Sequence, residues 1–291
     1  MAQNEVRIVF SSVITLILEI SPYWLSGLVI GSLISVYLSN SIASKMTALN
    51  SGKVNILAIL GASCLGVVSP LCMYGTIPVI AAFGRKGIPS HILVTFMVSS
   101  VLLNPNLYIL GFVLGTGIAM ARLFLALLCG ILAGVLARMF MRNKPIFRYD
   151  RFASVNKGKK TFIRDLLKAF RITGPYLLIG VVLTALVNRY VPPQLIASAF
   201  GGREAIGVLF ATSLSIPLYA CGGGVMPLIR AWLAAGMGTG DALAFMISGP
   251  ATKITNLAAV KMILGTKNYF VYLIYIVVFA FIVGLVIELN M

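Results

Sequence analysis

Two cysteines, Cys72 and Cys221, lie 149 residues apart, and each stands in a matching arrangement of glycine and proline. The same offset relates five further pairs, namely Gly75/Gly224, Pro78/Pro227, Gly87/Gly236, Phe96/Phe245 and Ser99/Ser248. Thiolates are soft ligands for thiophilic species, and two thiols can also form a redox-active disulfide. The spacing therefore predicts a duplicated unit that brings one sulfur from each copy to a shared site.

The composition predicts where such a duplicated chain resides. Of 291 residues, 59% are hydrophobic and 10% are charged, and the mean hydropathy is +1.01. One soluble globule of this size cannot bury so much apolar surface. Several segments approach the roughly 20 apolar residues that a spanning helix needs, and others fall short. We therefore expect an all-α, polytopic membrane protein with about 8–10 membrane segments, some of them broken.

The first predicted break in each unit is a proline. Ser69-Pro70 and Ile216-Pro217 are expected to end helices, because proline removes a backbone donor and crowds the preceding turn. The glycines that follow, Gly75 and 222–224, favour unwound backbone. The apolar runs after the breaks are too short to span a bilayer, which predicts half-helices.

A second break is predicted in each unit, through residues 104–106 in the first and 249–253 in the second. Non-helical backbone at membrane depth is tolerated where protein encloses it or where it lines a cavity. Two breaks per unit therefore predict one enclosed polar site between the two units.

The net charge of +16 is concentrated in one stretch. Eleven of the 23 Lys and Arg residues lie between Arg138 and Arg171. A basic cluster beside spanning segments is typical of a cytoplasmic loop attracted to anionic lipid, and the stretch has few aromatics that could stack nucleic-acid bases. We predict a first membrane repeat over 1–142, a basic cytoplasmic linker over 143–161 and a second repeat over 162–291, with inverted orientation of the two repeats.

Four segments carry a resemblance to a known family. Residues 69–78 read SPLCMYGTIP, 103–105 read LNP, 217–222 read PLYACG and 244–252 read AFMISGPAT. They resemble the predicted-permease family that includes the organoarsenical efflux permeases, and the similarity covers nearly the whole chain. The resemblance implies a multi-pass inner-membrane permease that exports thiophilic trivalent arsenicals. Val101 stands where the family usually has proline, and Lys253 where asparagine is usual, so the cargo of this chain can differ.

The predicted site combines soft sulfur with groups that suit an anion. Half-helix N-termini offer backbone N–H donors and partial positive charge, and Lys253 beside the second break would strengthen that preference. The predicted substrate-binding residues are Cys72, Met73, Tyr74, Gly75, Pro78, Asn104, Tyr219, Cys221, Gly222, Gly223, Gly224, Pro250, Thr252, Lys253 and Asn256.

We predict a secondary permease that exports a thiophilic or anionic small solute by alternating access, without catalysis or a cofactor. The expected partners are a small-molecule or metalloid solute and membrane lipid, not nucleic acid, and an oligomer is possible. The sequence 201–207 lacks the lysine of a nucleotide-binding loop, so the energy must come from a gradient or from a separate subunit. The alternative is an intramembrane thiol-disulfide electron conduit that uses Cys72 and Cys221.

Overall fold

The computed structural model describes residues 56–71, 73–141, 146–148, 204–219 and 222–290, with scattered positions of 10–29 and 167–182. The described elements are helices, which confirms the all-α prediction. They are α1 (Ile56–Val68), α2 (Met73–Arg85), α3 (Ser90–Leu102), α4 (Pro105–Gly111), a 3₁₀ turn (Phe112–Leu114), α5 (Thr116–Phe140), α6 (Glu204–Leu218), α7 (Gly222–Ala234), α8 (Thr239–Thr252) and α9 (Ile254–Leu289).

Three stretches of the described chain are long and apolar enough to cross a membrane. They are Ser90–Leu114, Thr116–Phe140 and Ala259–Leu289, of which the first contains a break at 103–104. The helices α1 and α6 are apolar but shorter. This arrangement confirms a polytopic membrane protein.

The two longest spans present apolar stripes outward. Large exposed side chains recur at intervals of four residues, which keeps them on one face of a helix. They are Phe270, Ile274, Val278, Ile282 and Val286 on α9 and Phe124, Leu132 and Leu136 on α5. Apolar faces of this extent are suited to contact with lipid.

The centre of the described protein is formed by α3 and α8. Residues 240–252 of α8 are all buried, and so is most of α3. The helix α8 contacts α3 and α5, while α6 and α9 pack on its flanks. The most enclosed helices are thus the two that precede the second breaks.

Small residues allow the helices to approach closely. A Cβ on Gly134 would overlap the hydroxyl of Thr95, so α5 lies directly on α3. A Cβ on Gly284 would come within 2.8 Å of the Ala244 side chain, so α9 lies equally close to α8. Glycine at such contacts is a common means of packing helices in membranes.

Several backbone features recur at the predicted offset. The helices α2 and α7 have 13 residues each and end in turns with Gly87 at φ 82° and Gly236 at φ 101°. A second pair of left-handed glycines, Gly115 at φ 113° and Gly265 at φ 72°, is 150 residues apart. Gly265 divides α9 into two helical parts. The boundaries of the two repeats fall within 142–145 and 149–166, which lie outside the described residues, so the division stays a prediction.

The helix α6 runs past its predicted end at Pro217 to Leu218, whereas the break predicted over 249–253 falls at the last of these residues. The helix α8 continues through Pro250 to Thr252, where Thr252 Oγ1 donates to the Ser248 carbonyl at 2.7 Å and Lys253 N to the Gly249 carbonyl at 2.9 Å. A proline in the last turn removes only one backbone hydrogen bond, so the helix can continue past it. The second break is therefore at Lys253, where ψ is 142°.

Candidate functional site

The first break carries a cluster of three hydroxyl groups. The helix α1 ends at Val68, and Ser69-Pro70-Leu71 connect it toward α2. Ser100 Oγ of α3 lies 3.1 Å from both Ser69 Oγ and Thr76 Oγ1. Ser69 Oγ also donates to the Gly66 carbonyl at 2.6 Å, so one acceptor of the last turn of α1 is bonded at the break.

A hydroxyl pair occurs in each half at corresponding positions of α3 and α8. Ser99 Oγ lies 2.8 Å from Ser63 Oγ, and Ser248 Oγ lies 2.8 Å from Ser215 Oγ. These pairs join α3 to α1 and α8 to α6. Ser63 Oγ donates in addition to the Leu127 carbonyl of α5 at 3.2 Å. Buried hydroxyls paired in this way fix the register of neighbouring helices.

The hydroxyl cluster of the first break has no counterpart in the second half. At an offset of 149 residues, Ser69, Thr76 and Ser100 correspond to Leu218, Val225 and Gly249. The two halves are thus related in backbone geometry but differ in chemistry. The surroundings of the two first breaks therefore differ in polarity.

Tyr219 occupies the space that Gly249 leaves free. A Cβ on Gly249 would overlap the Tyr219 ring. The ring packs on Phe245 with centroids 6.0 Å apart, and Phe245 meets Trp232 edge-on at 5.5 Å. Glycine in α8 therefore allows an aromatic ring from the end of α6 to enter the core.

Arg122 is a buried cation beside this ring. Its side chain, in the second turn of α5, is 1% exposed. Nη2 donates to the Tyr219 hydroxyl at 3.4 Å and to the Leu102 carbonyl, at the end of α3, at 3.5 Å. Nε and Nη1 have no hydrogen-bond partner among the described residues. An ionised side chain inside a membrane protein is costly enough to indicate a function.

The second half bonds the carbonyls at its break through side chains. Asn256 Nδ2 donates to the Pro250 carbonyl at 2.7 Å, and the Tyr272 hydroxyl of α9 donates to the Ala251 carbonyl at 3.3 Å. Both donors are buried. Non-helical backbone at this depth is thereby satisfied by protein groups, as the membrane interior requires.

The structure places the predicted residues at several separate positions. Tyr219 contacts Arg122, whereas Pro250 and Thr252 in the last turn of α8 and Asn256 in the first turn of α9 flank the break at Lys253. Asn104 caps α4 by accepting from Leu107 N at 2.9 Å. Met73 and Gly75 are buried in α2, and the backbones of Tyr74 and Pro78 belong to the same helix. Gly222, Gly223 and Gly224, which were expected to favour unwound backbone, are helical and begin α7.

The two thiols of the predicted site, Cys72 and Cys221, lie outside the described residues. Their proposed meeting therefore stays a prediction, as does the electron-conduit alternative that depends on it. Of the other two cysteines, Cys64 is exposed on α1 and Cys129 is buried in α5, and both are free thiols.

A cavity of about 210 Å³ opens between α3, α5 and α9. Its walls are mostly apolar and include Met97, Ala133 and Leu264. Tyr272 and Tyr275 also line it, and their hydroxyls donate to the Ala251 and Cys129 carbonyls. With its polar groups largely bonded, this cavity suits an apolar moiety better than a charged one.

Sequence reasoning missed Arg122 and the hydroxyl cluster. Arg122 was not among the predicted site residues, although α5 begins at Thr116 and places it within the helix. The signal was present, since apolar residues both precede and follow this arginine. Ser69 belongs to the segment 69–78 that carries the family resemblance, but no prediction included its hydroxyl or that of Ser100.

The family is shown by comparison of the whole chain. Residues 5–289 match the ArsP_1 family, which is described as predicted permease. The chain belongs to this predicted-permease family. The resemblance is thus confirmed over almost the full length.

Curated relatives cover most of the permease. It is 26% identical to the UPF0718 protein YcgR of Bacillus subtilis over an alignment of 290 residues. This alignment covers 95% of this chain and 96% of the relative. It is 26% identical over 266 residues to a putative two-component membrane permease complex subunit of Streptococcus mutans, covering 87% and 86%. The UPF0718 protein YraQ of Escherichia coli is 23% identical over 252 residues, covering 83% and 69%. No solved structure matches the chain significantly.

Family and fold together assign the general role. The chain is a multi-pass membrane protein of a permease family, and its partner is accordingly a small solute. The family favours transport over catalysis.

Proposed function

We propose that the protein is a secondary permease of the plasma (inner) membrane that exports a small thiophilic or anionic solute by alternating access between its two halves. The observation that carries this proposal is the enclosed meeting of Arg122 and Tyr219 among the ends of α3, α6 and α8. Side chains from both halves contribute to this one buried point. A transporter of duplicated design binds its cargo at such an interface near the midplane.

The two thiols adjoin this centre in sequence. Cys72 directly precedes α2, and Cys221 directly precedes α7 and follows Tyr219 by two residues. Sulfur from each half would suit a trivalent organoarsenical, which takes thiolate ligands. The apolar cavity beside α3, α5 and α9 would accept the organic group of such a cargo.

The arrangement of the two halves supports alternating access. Left-handed glycines at matching positions end α2 and α7, and a second matching pair precedes α5 and divides α9. We place the halves in inverted orientation, with the basic linker on the cytoplasmic side, because its Lys and Arg residues follow the positive-inside rule. Movement of one half against the other would then expose the central site to each side in turn.

One relative suggests that the permease works with a second subunit. The Streptococcus mutans relative is named as a subunit of a two-component permease complex. A second membrane subunit is therefore a candidate partner of this chain, alongside an ion gradient as the driving force. Co-purification with affinity-tagged protein from native membranes tests this partner.

Export tests the proposal directly. Cells that lack their own exporters would express the wild type or one of the variants Cys72→Ser, Cys221→Ser and Cys64→Ser, and growth and intracellular content would be measured with trivalent arsenicals, mercurials, copper and sulfur oxyanions. We expect the wild type and Cys64→Ser to lower the content of at least one cargo, and both central serine variants to fail. Cys64 is the control because it is exposed on α1. Export that neither central substitution alters would remove sulfur from the mechanism.

A further inference from the structure

Arg122 lies in surroundings that do not neutralise it. Its guanidinium carries five N–H donors, yet the two acceptors among the described residues are neutral and lie at the long distances of 3.4 and 3.5 Å. Nε and Nη1 have no partner there. A buried cation without a counter-charge is strongly unfavourable, so its retention needs a reason.

The carboxylates of Asp241 and Glu288 lie at the start of α8. Glu288 Oε2 accepts from Gly240 N at 2.8 Å, and Asp241, in the first turn, lies against Gly207 of α6. The break at Lys253 is at the opposite end of that helix. Neither acid therefore pairs with Arg122.

One structural task of Arg122 is to bond a carbonyl at a helix end. In the other half a neutral residue performs the same task. Tyr272 stands 150 residues after Arg122, the same offset that relates Gly115 to Gly265. The Tyr272 hydroxyl donates to the Ala251 carbonyl at the end of α8, as Arg122 donates to the Leu102 carbonyl at the end of α3. A neutral hydroxyl thus suffices to bond a carbonyl at a helix end. That task leaves unexplained the positive charge of Arg122 and its three spare N–H donors on Nε and Nη1.

We infer that Arg122 binds the anionic group of the transported solute, and that the cargo is a small solute bearing a carboxylate or an oxyanion. Nε and Nη1 keep three N–H groups without a partner among the described residues, and charge-assisted hydrogen bonds from such groups suit the oxygens of a carboxylate or an oxyanion. This inference rests on the proposed function, since it names the substrate class of the same central site.

Tyr219 positions the guanidinium. Its hydroxyl accepts from Nη2, and its ring is held between Gly249 and Phe245. Because Tyr219 and Leu102 engage Nη2, the unpartnered N–H groups are those of Nε and Nη1. Tyr219 also stands two residues before Cys221, so an anion at Arg122 would lie beside the segment that carries a thiol.

The aromatic contacts provide a binding signal. Tyr219 packs on Phe245 and Phe245 on Trp232, so a change at Arg122 would alter the surroundings of the Trp232 indole. The chain has two tryptophans, and Trp24→Phe leaves Trp232 as the sole source of indole fluorescence. Purified full-length protein in lipid nanodiscs would be titrated with sodium sulfite, thiosulfate or acetate, exchanged for sodium chloride at constant ionic strength.

Four proteins are compared in this background: the parent, Arg122→Gln, Arg122→Lys and Arg138→Gln. Arg138 is the matched control because it lies in the last turn of the same helix. For at least one anion we expect a saturable fluorescence change in the parent and in Arg138→Gln. Binding should be weakened at least about tenfold in Arg122→Gln, because a charge-assisted hydrogen bond is lost. Arg122→Lys should show intermediate affinity, because lysine keeps the positive charge but replaces the planar guanidinium and its five N–H donors by a single ammonium group.

Thermal unfolding of the same variants separates binding from folding. If Arg122 binds an anion, Arg122→Gln without ligand should be as stable as the parent or more stable, since an unpaired buried charge is removed. The anions should then raise the unfolding temperature of the parent but not of this variant. A large loss of stability in Arg122→Gln, with anion effects unchanged, would show a structural role and overturn the inference.

Parallel export measurements distinguish the inference from the proposed function. One outcome is that the parent and Arg122→Gln export a neutral trivalent arsenical at equal rates and that no anion inhibits this export. That outcome would overturn the inference and would still support the proposed permease function. Anion binding that depends on Arg122, without arsenical export, would support the inference and contradict the arsenical cargo. Absence of both binding and export would overturn the two together.

Discussion

The contact between Gly249 and Tyr219 can be tested by one methyl group. In Gly249→Ala the new Cβ would overlap the Tyr219 ring, which cannot move freely because Phe245 packs on it and Arg122 donates to its hydroxyl. Overpacking of a well-packed core costs about 1–3 kcal/mol. Alanine in place of glycine inside a helix gains up to about 1 kcal/mol. The net expectation is a loss of roughly 1–2 kcal/mol in the free energy of unfolding.

Gly61→Ala is the matched control for this substitution. Gly61 is also helical, in α1, and a Cβ there would meet nothing within 4 Å. It should therefore be neutral or stabilising by up to about 1 kcal/mol. Thermal unfolding in one detergent, followed by circular dichroism, would compare the two variants with the wild type. The difference between them isolates the cost of the overlap.

A double variant tests the cause. Tyr219→Ala removes the ring that the new methyl group would meet, so Gly249→Ala should cost nothing when added to Tyr219→Ala. The coupling energy of the cycle should then be about 1–3 kcal/mol, as expected for residues in contact. Equal stability of Gly249→Ala and Gly61→Ala in the wild-type background would refute the packing described for the centre.

Three further substitutions test other parts of the account. Gly265→Ala should cost about 1–2 kcal/mol in thermal unfolding, because φ is 72° and a Cβ would lie 3.0 Å from Arg148 Nε, whereas Gly117→Ala in open space should not destabilise. Asn104→Ala should cost about 1 kcal/mol through loss of the bond from Leu107 N, and Asn104→Asp should retain most of that stability. Ala133→Phe would fill the cavity between α3, α5 and α9 and should reduce export in cells that still contain normal amounts of protein; unchanged export would exclude the cavity from the cargo route.

Much of the described fold could be predicted because the duplication leaves a regular trace. Gly87 and Gly236 keep their offset in sequence, and both adopt a left-handed conformation that side chains with a Cβ resist. Hydrophobic composition predicted the helices and their contact with lipid. These features depend on local backbone chemistry and on total apolar surface, both of which can be estimated without coordinates.

The exact end of a helix at proline was harder to predict. Pro217 and Pro250 lie inside α6 and α8, because a proline in the last turn removes only one backbone bond. Whether the chain then turns or continues depends on tertiary partners, such as the bond from Asn256 to the Pro250 carbonyl. Asn256 lies six residues after Pro250, in the next helix, so the sequence of α8 alone does not identify it as a partner.

The role of Arg122 could not be predicted for a similar reason. An arginine near the start of a span usually reaches the interface, where it is solvated. The burial of this one follows from contacts with Leu102 and Tyr219, which lie 20 and 97 residues away in sequence. The predicted preference of the site for an anion rested on half-helix N-termini and on Lys253, whereas the most buried cation among the described residues is Arg122.

Binding of a trivalent phenylarsenical, followed by intact-protein mass spectrometry, tests most directly whether both halves share one cargo site. Arsenic would exchange its two hydroxyl groups for the sulfurs of Cys72 and Cys221, releasing two water molecules. We expect one arsenical per wild-type chain, the same for Cys64→Ser and Cys129→Ser, and none retained by Cys72→Ser or Cys221→Ser after washing with a monothiol. Undiminished retention by both central serine variants would contradict a cargo site built from the two halves.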